Sequence, residues 1–187
     1  RYEDITGEVK EFIIGSVLGD GSIFNWDKSK NSHFCETHGE NQHDYLDWKV
    51  SCLSEIVTST DTYMDSYDDE HRETQKKRFR TRSLPAFDEI VDLMYDENGK
   101  NPTYDLDLSW KSIAVWFCDD GTSNHINSDK QRSRVIFNTQ SFDRETCEML
   151  HHKLALEGRV TEYGSGPVIE LTADASETLF ENIAKYV

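Results

Sequence analysis

Apolar and polar positions alternate along the chain with two different periods, and they do so twice in the same order. Val9, Phe12, Ile13 and Val17 recur at the spacing of one helix face, and the run stops at Gly19-Asp20-Gly21. Gly15 and Gly19 sit one turn apart, where a second backbone could approach closely. Residues 22–26 and 32–38 predict two short strands around a polar turn at 27–31. A helix is predicted over 41–57, with Tyr45, Trp48, Cys52, Leu53 and Ile56 on one side. Strands at 62–67 and 75–82 follow, joined by the acidic stretch 68–73, and then a helix over 84–95 with Phe87, Ile90, Val91 and Met94 inward. Residues 96–107, with Asn98-Gly99 and Pro102, read as a linker. Residues 1–8 read as a leader with little structure.

The pattern then restarts. Ser109 caps a predicted helix over 110–118, ended by Asp119-Asp120-Gly121. Strands at 122–126 and 134–139, a helix over 142–157, a hairpin 159–163/168–172 across Gly164-Ser165-Gly166, and a closing helix over 175–187 complete the set. Both halves therefore read α-β-β-α-β-β-α, and such an internal repeat outweighs any single local propensity. The predicted fold is α+β: a pseudo-two-fold pair of αββαββα units (9–95 and 109–187) joined by a linker (96–108), with two four-stranded antiparallel sheets. The first helices face each other. Their terminal acids, Asp20 and Asp120, lie 100 residues apart in sequence and meet at that interface. Two adjacent carboxylates repel unless a cation lies between them, and a hard divalent ion is the natural occupant.

Charge and composition narrow the function. The net charge of −16 argues against a nucleic-acid binder when taken alone. Its distribution argues otherwise: the predicted strand-and-turn segments hold 12 of the 20 basic residues but only 11 of the 36 acidic ones. Helices and linkers thus carry the negative charge, as expected of a protein from a salt-adapted microbe, where self-repulsion is screened; an ordinary acidic protein is the plainer alternative. No apolar run approaches the roughly 20 residues that span a bilayer, and no signal peptide is visible, so a cytoplasmic, nucleoid-associated location is expected. The four cysteines lack CxxC spacing and are expected to be reduced thiols rather than a zinc site. Arg78, Arg80 and Arg82 alternate on one strand face, as do Arg132 and Arg134, while Lys28 and Lys30 lie in a hairpin turn. These are the candidate DNA contacts, weighed against the charged strands that merely resist aggregation. The adjacent His151-His152 pair does not share one helix face and reads as exposed.

The two acid-glycine helices and the repeated αββαββα order resemble the single-chain, two-motif LAGLIDADG homing endonucleases. Trp116-Phe117-Cys118-Asp119-Asp120-Gly121, Phe79-Arg80-Thr81-Arg82-Ser83 and Asn138-Thr139-Gln140-Ser141-Phe142 resemble its compact Asp-Asp-Gly subgroup. The resemblance covers residues 9–187. It implies motif helices at the interface between halves, Mg²⁺ (or Mn²⁺) at Asp20 and Asp120, and carbonyl ligands from Gly19 and Asp119. It also implies water-positioning residues at His38 and Gln140, and a β saddle over a long double-stranded DNA target. The protein would act as a monomer with internal pseudo-symmetry, cutting both strands and leaving short 3′ overhangs. Val115 and Asp119 depart from the pattern set by Gly15 and Gly19, so an asymmetric or wider helix contact is expected there. No lysine stands out for an additional basic role; Arg80 or Arg82 could serve in the first half, and Thr172 or Asp174 lie nearby in the second. The competing reading is a non-cleaving nucleic-acid binder such as an RNA intron maturase. Origin within an intron or an intein is a further possibility, although no splicing residues stand at either end.

Overall fold

A computed structural model describes residues 5–25, 31–66, 73–127 and 132–187. The fold is the expected one. Helix α1 (Gly7–Leu18) is followed by β1 (Ser22–Phe24), β2 (His33–Gly39), α2 (His43–Cys52), β3 (Val57–Ser66), β4 (Glu73–Thr81) and α3 (Pro85–Met94). A small hairpin, β5 (Tyr95–Asp96) and β6 (Gly99–Lys100), leads out of the first half. The series repeats as α4 (Trp110–Asp120), β7 (Gly121–Asn127), β8 (Arg132–Phe137), α5 (Arg144–Leu154), β9 (Gly158–Tyr163), β10 (Gly166–Leu171) and α6 (Ala173–Ile183). The two antiparallel sheets have matching orders, β1-β2-β4-β3 and β7-β8-β10-β9.

Local chemistry explains most boundaries. Hydroxyls of Thr6, Ser109 and Thr172 and the carboxylate of Asp143 accept the amide hydrogen three residues on, capping α1, α4, α6 and α5. Helix α1 therefore starts at Gly7, inside the stretch expected to be a leader. Helix α2 ends at Cys52, earlier than its apolar pattern suggests. A turn closes there as Ile56 and Val57 N–H groups donate to the Leu53 carbonyl (2.9 and 3.0 Å). Leu53 and Ile56 stay buried, and the β-branched run from Val57 starts β3 five residues before the predicted strand. The stretch expected to be linker opens with the β5–β6 hairpin. It also buries Leu106 completely.

The seam between the halves is the contact of α1 with α4. Glycine is required there at two places. A Cβ on Gly15 would lie 2.3 Å from the Ser112 carbonyl oxygen and 2.9 Å from Val115 Cβ, and one on Gly19 would lie 2.3 Å from Asp119 Cβ. The larger residues of the second motif, Val115 and Asp119, thus fill the hollows left by the glycines of the first. Ile13, Val17, Ala114, Val115 and Trp116 are fully buried at or beside this seam. Phe34 and Phe79 on the inward face of the first sheet (rings 5.6 Å apart), and Trp116 of α4 against Phe137 of β8 (4.4 Å), pack the two half-cores.

Candidate functional site

Each motif helix delivers its acid at its C-terminal end, where the macrodipole disfavours negative charge. Asp20 follows α1 and keeps 42% of its side chain exposed; Asp120 is the last residue of α4. Burial, and then the charge of Asp20, push the Asp120 carboxyl up to about 7. The charges of Asp20 and Asp120 therefore act on one another across the seam. Lys100, on β6, reaches in beside them and donates to the Gly19 carbonyl at 2.7 Å. Burial lowers its pKa, opposed by the charges of Asp120 and Asp20. Sequence reading did not single out Lys100; it lies in the stretch read as linker, and only the hairpin brings it back to the seam.

A second feature lies beneath the first acid. Asp119 projects from α4 into the first half. Its carboxylate accepts from Lys49 Nζ (2.7 and 2.9 Å) and from the Tyr45 hydroxyl (2.7 Å). Lys49 is fully buried and also donates to Glu36 Oε1 (2.6 Å) and Ser16 Oγ (3.1 Å). Glu36 Oε1 in turn meets His38 Nε2 at 2.5 Å, and the other ring nitrogen of His38 faces Gln42 Oε1 at 3.1 Å and Asp20 Oδ2 at 3.9 Å. Burial raises Asp119, with Lys49 pulling the other way. Desolvation lowers His38, but its contacts with Glu36, Gln42 and Asp20 outweigh that and raise its pKa overall. Ligand atoms of Asp20, His38 and Asp119 all fall within 4.8 Å of one another. The Asp119 carboxylate, however, is already bonded to an ammonium and a phenol. That leaves Asp20 and Asp120 as the carboxylates with charge to spare.

The outward face of the first sheet continues from this site. Paired registers set Ser22, Cys35, Arg80 and Ser59 in one row, and Thr37, Arg78 and Asp61 in the next. A cavity of about 270 Å³ runs from Asp20 past Cys35 and Thr37 to Arg78 and Arg80. Arg78 is held by neutral partners, Thr37 Oγ1 (2.8 Å) and Tyr63 OH (2.9 Å), and Arg82 is exposed. The second sheet differs. There the matching row is Thr122, Ile136, Glu170 and Arg159, so an acid stands where the first sheet has Arg80. Glu170 binds both Arg134 (3.2 Å) and Arg159 (2.7 Å). Arg132 opens β8, while Lys28 and Lys30 fall outside the described residues. Gln140 lies just past β8, its backbone 3.0 Å from where a Cβ on Gly166 would stand. By strand register Thr139, which bonds the Pro167 carbonyl, holds the place of His38, and Gln140 follows it.

The partners of Asp119 had a weak signal in sequence. Lys49 and Glu36 both stand at positions where the apolar pattern calls for a core residue, and a charge there points to a buried partner. Nothing in the order of residues says that the partner would come from the other half. Among the described residues no helix is long and apolar enough to cross a membrane, and all four cysteines are free.

Comparison with known proteins agrees with this architecture. Over 151 residues the chain is 26% identical to the probable intron-encoded endonuclease 1 of Wickerhamomyces canadensis, covering 79% of this chain and 64% of that protein. It is 29% identical over 116 residues to the protein RecA of Mycolicibacterium chitae, covering 59% of this chain and 25% of that one. The chain thus spans less than two thirds of the length of either relative. The homing endonuclease I-WcaI bound to its DNA recognition sequence shares the fold over the whole chain and 84% of its own (TM-score 0.88, 21% identity). The meganuclease I-SmaMI bound to uncleaveable DNA does so more distantly (TM-score 0.55, 11% identity, all of this chain and 85% of that one). Residues 10–179, nearly the whole chain, match the model of one family across both motifs, and the protein belongs to that family, the LAGLIDADG DNA endonucleases.

Proposed function

We propose that the chain is a site-specific endonuclease that hydrolyses phosphodiesters in both strands of a long, asymmetric DNA target and leaves short 3′ overhangs. The observation that carries this reading is the placing of two carboxylates, Asp20 and Asp120, at the ends of helices that cross at glycine contacts, where burial and then the charge of Asp20 destabilise the Asp120 carboxylate. A pure binder has no use for such a pair. The donor set fits a divalent ion such as Mg²⁺ or Mn²⁺: hard oxygens, excess negative charge, and access from the exposed side of Asp20. Asp20 and Asp120 would hold it, with the Gly19 and Asp119 carbonyls beside them. When bound, the ion supplies a polarised phosphate and an activated water.

The rest of the work falls to the chain's own groups. His38 and, in the second half, Gln140 orient water at the two ends of the seam. Lys100 places an ammonium against the Gly19 carbonyl, where negative charge on a leaving oxygen would be offset. Arg78, Arg80 and Arg82 face the major groove from the first sheet, joined by Arg132 and Arg134 from the second and by Lys28 and Lys30. Arginine forks match guanine edges and phosphates. The two halves, 9–95 and 109–187, each read one side of the target, and the protein works as a monomer on cytoplasmic DNA of a salt-adapted host. The likeness to an intron-encoded endonuclease and to a segment of RecA supports an origin within an intron or an intein.

The test is selection of cleaved sites from a random or genomic duplex library with Mg²⁺, at low and high salt. One recurrent site is expected. Asp20→Asn and Asp120→Asn should each abolish double-strand cleavage and leave binding to that site intact. Absence of cutting at any salt, together with tight binding to a structured intron RNA, would make the protein a maturase instead.

A further inference from the structure

The seam repeats in backbone but not in charge. Cys35 faces Ser22 as Ile136 faces Thr122, so Glu36 corresponds to Phe137. Lys49 and Leu150 each stand seven residues past their helix cap, Gln42 and Asp143. Asp119 corresponds to Gly19. The buried ionic set Glu36–Lys49–Asp119 in one half is therefore matched by Phe137, Leu150 and Gly19 in the other. Phe137 and Leu150 are fully buried. Replacing a buried ion set by apolar side chains of similar size is often neutral or stabilising. The second half demonstrates that this architecture accepts the apolar solution, so packing alone does not explain the charges.

Both ends of the ionic set reach Asp20. At one end Glu36 holds His38 Nε2 and so aims the opposite ring nitrogen toward the Asp20 carboxylate. At the other, Asp119 Oδ2 lies 3.4 Å from the Asp20 backbone N–H, which donates to it. One oxygen, Glu36 Oε2, is buried with no partner, a cost that packing does not require. We propose that Glu36, Lys49 and Asp119 are positioning residues for the Asp20 centre. They lock His38 and the Asp20 main chain from two sides, and the Asp120 centre has no counterpart. The two strands are then cut at unequal rates, and the ionic set controls the ratio. This rests on the endonuclease reading above.

Two variants test it. Glu36→Gln keeps size and removes charge; the triple change Glu36→Phe, Lys49→Leu, Asp119→Gly installs the second half's side chains. Single-turnover rates are measured separately on each labelled strand of the selected site, and the His38 ring N–H is followed by NMR without metal or DNA. In Glu36→Gln, cutting of one strand is expected to fall by about ten- to hundredfold more than the other, and the low-field ring proton to disappear. The triple variant should remain folded and show the same skewed ratio. Equal slowing of both strands, or a ring signal that survives Glu36→Gln, overturns the proposal. Should the parent cut no DNA while the ring proton still responds to Glu36→Gln, the endonuclease reading fails and the unequal rates with it; the buried tie survives.

Discussion

Gly15→Ala is the perturbation that tests the seam most directly, because two effects of opposite sign compete. Intrinsic propensity favours alanine in a helix interior by about 1 kcal/mol. The structure opposes it: the new methyl carbon would stand 2.3 Å from the Ser112 carbonyl oxygen, roughly an ångström inside ordinary contact. That oxygen is backbone, so no side-chain rotation relieves the overlap and α1 must move away from α4. Overpacking of one methyl costs about 1–3 kcal/mol, and a rigid partner puts this case at or beyond the upper end. The net expectation is destabilisation by about 2 kcal/mol, or a melting temperature lower by about 4–8 °C for a chain of this size. Gly7→Ala is the control, since its methyl would meet nothing within 4 Å; it should be neutral or slightly stabilising. Thermal melts of both variants, with the strand-cleavage assay alongside, decide the matter. A Gly15→Ala protein that melts higher than the parent would refute the close backbone approach, and with it the account of how Asp20 and Asp120 are brought together.

Four other outcomes follow. Asp120 has a folded-state pKa of about 7 against an ordinary value of 3.8, so the native state binds more protons between them. The contribution of Asp120 to metal-free stability then falls as pH rises from about 4 to 7, and melts in EDTA should show Asp120→Asn more stable than the parent at pH 8 by about 1–2 kcal/mol after solvent screening, and no different near pH 3.5; equal melts at pH 8 would contradict the assigned repulsion. Arg80→Ala should weaken or relax target binding by about 1–3 kcal/mol, more than Arg134→Ala, whose guanidinium is already bound to Glu170; equal effects in a binding titration would count against the difference between the sheets. Glu170→Gln releases Arg134 and Arg159 and should strengthen non-specific DNA binding, with a salt slope steeper by about one to two phosphate contacts. Lys100→Met should slow cleavage by about a hundredfold or more while leaving the dissociation constant nearly unchanged, and normal rates would exclude Lys100 from the chemistry.

What the order of residues determined by itself was the duplicated frame. Period-3.6 and period-2 runs mark which faces must leave water, and the second set repeats the first, so two αββαββα units with acids at matching helix ends could be read without coordinates. The same runs misplaced boundaries where neighbouring signals competed, as at 53–57, where an apolar pattern suited to helix yields to a turn and a β-branched strand. Only the tertiary structure decided what surrounds those acids. Lys100 is 80 residues from Asp20, and Asp119 is 70 from Lys49; both contacts arise because the α1–α4 crossing and the β5–β6 hairpin fold distant segments onto one seam. Burial patterns report that a side chain leaves solvent but not which partner it meets there. Charge pairing across the seam therefore stayed hidden, and the unlike chemistry of the two halves came from a repeat that looked even in sequence.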